Sequence, residues 1–307
     1  MNIKRVVISF VVTFCALLCC ATVCALVSPA PSKSGAQGGQ AASSFASDAA
    51  EKIASAAEEK SPAAEIVCWG DSLTFGWGAD GEVDEDDPPT VPSDRSYPKV
   101  LERLTGIRTL NYGVPGATSE EIAVMQGGEA PGQALDEYGV IDQRLMLFSR
   151  LHKGNVLVLE MGSNGGWGEE YDVLIEQYRS MIEFAGTDKY IIVGDTDDPG
   201  TSLADPEQQK FYDGAVEWDE DERIHRETDW EAALREAFGE HFLNMRVYLI
   251  EHGLEAADLE PDYDDEWMAE EGRVSYQLRT DETHLNADGY YAMAVGIYEK
   301  GRELGYW

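Results

Sequence analysis

Glu65-Ile66-Val67-Cys68-Trp69-Gly70-Asp71-Ser72-Leu73-Thr74, followed by Gly76 and Gly78, passes from a compact apolar run into a polar, glycine-bounded turn. Residues 65–68 read as a strand ending just before Gly70. A serine at such a strand-to-helix turn exposes its hydroxyl, and the unpaired backbone N–H groups at the helix start can hold a developing oxyanion. Read alone, Asp and Ser at this place are more often helix caps. The turn is not the Gly-x-Ser-x-Gly elbow of lipase-type hydrolases, which occurs nowhere in the chain.

Outward from this stretch, strands and helices take turns. Apolar runs at residues 109–112, 156–160 and 190–193 predict three more strands. Helical patterns cover residues 97–104, 119–125, 140–151, 169–184, 230–238, 245–251 and 286–303, with His252-Gly253 reading as a helix C-terminus and Asn286 as a cap. Such alternation predicts a mainly parallel sheet with helices on both faces, and in that architecture ligands bind at the carboxyl ends of the strands.

Three further polar motifs fall at those ends or before the last helix. Asn111-Tyr112-Gly113-Val114-Pro115-Gly116 follows the second strand, and Gly116 either lets a backbone N–H approach a ligand or merely supplies a turn. Gly162-Ser163-Asn164-Gly165 follows the third, where the Asn164 amide either donates into the same mouth or forms the turn. Asp281-Glu282-Thr283-His284 precedes the last helix. A carboxylate and an imidazole three residues apart on a loop can meet, so that Asp281 fixes the tautomer of His284 and the other ring nitrogen faces a serine. The bland alternative is a capping loop with an exposed histidine.

With these motifs in this order, residues 66–307 resemble the SGNH hydrolase superfamily, also called GDSL esterases or lipases. The resemblance implies a flavodoxin-like three-layer α/β/α fold with five parallel strands, the fifth short and near residues 241–244. It also implies that Ser72 is the nucleophile, His284 the general base and Asp281 its orienter, with Gly116, Asn164 and the Ser72 N–H as oxyanion donors. The family's third motif usually reads Gly-x-Asn-Asp, whereas Gly165 stands here in place of that Asp, so the local turn must be supported differently. The Gly-x-Asn-Gly variant is similar to that of some peptidoglycan O-acetyltransferase domains. The expected activity is therefore ester hydrolysis through an acyl-enzyme on a small-molecule or carbohydrate ester. O-acyl transfer to a carbohydrate or cell-wall polymer is the alternative, and a catalytically silent carbohydrate-binding module is the second alternative.

The chain of 307 residues carries 23 Lys+Arg against 58 Asp+Glu, a formal charge of −35, which argues against nucleic-acid binding and against a basic membrane-docking surface. Of its five cysteines, Cys15, Cys19, Cys20 and Cys24 sit in an apolar run at residues 6–27 preceded by Lys4 and Arg5. That run is an export segment, read equally as a cleaved signal or a retained anchor. Residues 28–62 are rich in Ser, Ala, Gly and Pro and read as a flexible spacer with a marginal helix at 48–60; residues 63–307 form the folded domain. The protein is expected to be secreted or tethered to the outer face of the cytoplasmic membrane, touching it only through the N-terminal segment.

No cofactor is expected and no metal site is read. Asp195 to Gly200 begins like a calcium loop, but Pro199 occupies a ligand position and Pro206 stands where the bidentate Glu belongs. The acidic run Asp84-Glu85-Asp86-Asp87 reads as a solvated loop. Cys68 reads as a buried core residue. Trp77 and Trp167, each a few residues after a polar motif, line the pocket or pack in the core.

Overall fold

The computed structural model describes residues 65–84, 87–128, 141–168, 170–196, 228–270 and 272–307, all within one compact unit, Pro62–Trp307. The expected export segment and spacer, the helix expected at 48–60, Glu85, Asp86 and most of the calcium-like loop lie outside them. No helix among the described residues is long and apolar enough to cross a membrane.

Five strands, β1 (Glu65–Gly70), β2 (Arg108–Gly113), β3 (Val156–Leu159), β4 (Tyr190–Val193) and β5 (Phe242–Leu243), form a parallel sheet in the order β2-β1-β3-β4-β5. This is the expected flavodoxin-like arrangement, and the short fifth strand falls within the expected 241–244. Residues alternate between the two faces with period two. Ile66, Cys68, Val156, Val158, Ile191 and Val193 point into one core, whereas Val67, Trp69, Leu157, Leu159 and Ile192 point into the other. Burial on both faces is what makes these strands near-continuous apolar runs. Cys68 is fully buried, as expected.

Besides the single-turn α1 (Ser72–Phe75), the helices are α2 (Tyr97–Thr105), α3 (Ser119–Gln126), α4 (Gln143–Leu151), α5 (Tyr171–Ala185), α6 (Asp229–Phe238), α7 (Met245–Ala256), α8 (Tyr263–Glu270) and α9 (Ala287–Glu303). Residues of α2, α7 and α9 cover the first face; those of α3, α5 and α6 cover the second. Capping boxes at Thr118 with Glu121 and Thr228 with Glu231 start α3 and α6. Asn286 caps α9 as expected, accepting from the N–H groups of Asp288 and Gly289.

One boundary is corrected. The helix expected to stop at His252-Gly253 continues to Ala256, with Gly253 buried inside it. A Cβ at that position would lie 2.6 Å from Leu278 Cδ1, so the glycine is there for close packing and not for a left-handed cap.

Candidate active site

Strand order reverses between β1 and β3, and the crevice above their carboxyl ends is where the polar turns converge. The turns are bonded to one another. The Val114 N–H donates to Gly70 O at 3.0 Å, the Glu160 N–H donates to Trp69 O at 3.0 Å, and the Asn111 amide donates to Thr74 O at 2.7 Å.

Ser72 is the first residue of α1, and Asp71 caps that helix by accepting from the Leu73 N–H at 3.0 Å. Asp71 is therefore the cap that the bland reading proposed, and its neighbour is still free to act as a nucleophile. On the other side, residues 279–285 are pinned into a closed loop. Arg279 and Leu285 form an isolated antiparallel bridge, the Thr280 N–H donates to His284 O at 2.9 Å, and the Thr280 hydroxyl donates to Gly78 O at 2.7 Å.

This loop brings His284 Nε2 to 3.1 Å from Ser72 Oγ, and His284 Nδ1 to 2.9 Å from Asp281 Oδ2. A carboxylate only accepts, so the neutral ring carries its proton on Nδ1 and leaves Nε2 to accept from Ser72. Asp281 also accepts from the N–H groups of His284, at 2.6 Å, and Thr283, at 2.8 Å. Burial works to raise the Asp281 carboxyl, but the bonds from the His284 backbone and ring and from Thr283 outweigh it and hold the group below its ordinary value. Asp281 is thus kept ionised under the ring.

Gly116 is exposed at φ +75, on the rim of the β2 turn. Asn164 is placed differently from a free donor: its Nδ2 lies 3.1 Å from Asp71 Oδ2 and 3.3 Å from Ala117 O, so both amide hydrogens have protein partners. Gly165 takes a left-handed φ of +78, with space around it where a side chain would fit. Its turn is supported from elsewhere. The backbone N–H and the hydroxyl of Ser119 both donate to Gly165 O at 3.0 Å, Gln177 donates to Gly166 O at 2.8 Å, and Ser163 donates to Asp195 at 2.7 Å. These contacts replace the missing carboxylate, and Asp195, first met as the start of a calcium-like loop, is one of them.

Two acidic side chains lie beneath the nucleophile. Asp71 and Glu160, the residue after β3, are both 1% exposed and act on each other electrostatically. Burial pushes the Asp71 carboxyl up to about 7, with the charge of Asp195 adding to the rise against bonds from Leu73, Glu160 and Asn164. Burial, then the charges of Asp71 and Asp195, push Glu160 well above the ordinary carboxylate range. Reading β3 as an apolar run gave Glu160 no role; the signal was a lone acid closing a Val-Leu-Val-Leu strand.

The two tryptophans part company. Trp77 is half-buried with its ring centroid 6.1 Å from that of His284, while Trp167 is buried against Trp230 and Tyr171 and donates to Gly162 O at 2.9 Å. Trp167 is therefore a support for the β3 turn rather than a pocket wall. A cavity of about 230 Å³ beside α1 is lined by Phe75, Val83, Val91, Asp80, Asp84 and Asp87 among others, so the described part of the acidic run faces it. Ser72, His284 and Asn164 are not in its lining. Among the described residues no group of His, Cys, Asp or Glu is arranged to hold a metal ion.

The model of the GDSL-like lipase/acylhydrolase family matches residues 68–292. The chain belongs to that family. This GDSL-like protein is a serine hydrolase acting on ester bonds. No curated protein matches it. Among solved structures, the GDSL-like chain is similar to the M. smegmatis aryl esterase (12% identity, 79% of this chain and 100% of that one, TM-score 0.45). It is similar to a carbohydrate acetylesterase from Sinorhizobium meliloti (14%, 78% and 99%, 0.42). A family two carbohydrate esterase with a carbohydrate-binding domain from Corynascus thermopiles is a third likeness (13%, 81% and 68%, 0.46). With TM-scores below 0.5, none of the three bears on the substrate.

Proposed function

We propose that the protein is an extracytoplasmic serine esterase that cleaves a small-molecule or carbohydrate carboxylic ester through Ser72, His284 and Asp281. The observation that carries this reading is the continuous line of hydrogen bonds from Ser72 Oγ through both ring nitrogens of His284 to Asp281. As Oγ attacks the carbonyl carbon, its proton passes to Nε2, and ionised Asp281 stabilises the imidazolium. The N–H groups of Ser72 and Gly116 hold the oxyanion. The Asn164 amide joins them by giving up its longer bond, to Ala117, while Asp71 keeps it in place. The imidazolium then protonates the leaving alkoxide, and water hydrolyses the acyl-enzyme by the reverse roles. Trp77 flanks the His284 ring. The location outside the cytoplasm is supported by the apolar run at residues 6–27 with Lys4 and Arg5 before it.

Incubating the full chain with aryl esters of graded acyl length tests the activity, and a fluorophosphonate tests the nucleophile. Ser72→Ala is expected to lower kcat by about 10⁴-fold or more and to abolish labelling, with the melting temperature unchanged. Labelling that survives in Ser72→Ala would move the nucleophile elsewhere. Acetyl appearing on an added glycan would turn the reading to acyl transfer.

A further inference from the structure

Glu160 takes no part in the mechanism above, yet it is built into the turn that carries the nucleophile. It accepts from the Thr74 hydroxyl at 3.1 Å, and that hydroxyl is bonded in turn to Tyr97 OH at 3.0 Å. Gly70 clears the space for it. A Cβ there would lie 2.7 Å from Glu160 Oε2 and would run into Glu160 O and Thr74 Oγ1 as well. The first glycine of Gly70-Asp71-Ser72-Leu73 thus leaves room for the Glu160 carboxyl against the turn that carries Asp71.

Asp71 accepts from Leu73 with one oxygen and from Asn164 with the other. A protonated Asp71 would hold these two donors less firmly than a carboxylate does. Two carboxyls in contact away from water cannot both ionise. The titratable groups facing the pair are Asp195 after β4, Tyr97 on α2, Tyr178 on α5 and Tyr290 on α9. None of these brings a positive charge at neutral pH, so neutralisation falls to a proton.

We propose that Glu160 is a positioning residue for this hydrolytic site: it remains a neutral carboxylic acid and donates its proton to Asp71. Asp71 then stays a carboxylate that fixes the Asn164 amide and the first turn of α1. The order of donation is Tyr97 to Thr74, Thr74 to Glu160, Glu160 to Asp71, with Asn164 and Leu73 donating to Asp71 from the other side. Glu160 touches no reacting atom and acts through Asp71. The proposal rests on Ser72 being the nucleophile.

The test compares Glu160→Gln, which keeps a donor and cannot ionise, with Glu160→Leu, which has no donor. In the full chain, Glu160→Gln is expected to lose no more than about threefold in kcat at neutral pH. Glu160→Leu is expected to lose about 10- to 100-fold in kcat, with KM little changed, because a buried acceptor is left unsatisfied. Infrared spectra at pH 7 should show the carbonyl stretch of a neutral carboxylic acid in the wild type that is absent in Glu160→Gln. Equal losses in the two variants, or no such band in the wild type, would overturn the proposal. The infrared comparison decides even if Glu160→Leu does not fold. Fluorophosphonate labelling of the same wild-type preparation keeps the two ideas apart, since an unlabelled Ser72 would sink the esterase reading while the infrared result still reports on Glu160.

Discussion

Glu231 and Arg246, 6% and 2% exposed, meet through two hydrogen bonds of 2.7 Å, whereas Asp71 and Glu160, both 1% exposed, press two acids together. In the first pair charge cancels charge. Arg246 also donates to Gly272 O at 2.9 Å, so the pair ties α6, α7 and the segment after α8 into one unit. In the second pair only a proton can cancel the charge, and that proton sits under the nucleophile. A buried ion pair is indifferent to pH near neutrality and does structural work. A buried acid pair is sensitive to pH and is tolerated where it orients a site.

Removing one member of the ion pair should give the largest effect on stability. Arg246→Ala leaves Glu231 as an uncompensated buried charge and should lower the unfolding free energy by about 3–5 kcal/mol in urea titrations. Activity per folded molecule should not change. The double variant Glu231→Leu with Arg246→Met should recover most of the loss. A recovery that fails would mean the pair contributes more than its charges.

On the acid side the expected effect is on rate. Asn164→Ala should lower kcat by about 10²- to 10³-fold with KM nearly constant and the melting temperature close to wild type, because an oxyanion bond gains strength mainly in the transition state. A fall in melting temperature with near-normal kcat would reduce Asn164 to a link between the β1 and β2 turns.

Per pH unit, the smallest effect is a slope. Carboxyls whose proton affinity is raised by folding bind more protons in the folded than in the unfolded chain. The fold therefore loses stability as pH rises from about 4, the ordinary carboxylate range, through the raised values. Glu160→Gln removes one such group. Its stability should gain on the wild type as pH rises from about 4, by at most about 1.4 kcal/mol per pH unit until the raised value is passed. Parallel curves for the two proteins would show that Glu160 carries no proton of its own.

Four strands were legible because each carries a short apolar run closed by a glycine or a polar turn; the two-residue β5 has no such run and was expected only from the family resemblance. Ser72, Asp281 and His284 were singled out by motif order and spacing, and the structure brings the three side chains together. What stayed hidden depends on partners distant in the chain. Gly253 looks like a helix stop until Leu278 is seen against it, and Gly165 looks unsupported until Ser119 is seen bonding its carbonyl. α8, with its run of acids Asp264, Asp265 and Glu266, shows no apolar periodicity and was not read as a helix. Glu160 and Asp71 are residues of separate motifs, and their contact exists only because β1 and β3 are neighbours in the sheet.

Cys68 lies in the middle of β1, paired on one side with Asn111 of β2 and on the other with Val158 of β3, and burial pushes its thiol well up from the ordinary range. It is the only cysteine of residues 63–307. A thiol in that position reacts through its thiolate, which burial disfavours and which is covered while both neighbouring strands are in place. Alkylation of Cys68 therefore acts as a stopwatch for sheet opening. In an oxidising compartment the same enclosure shields the domain from mispairing with the cysteines at residues 15–24 once β1 has been flanked on both sides.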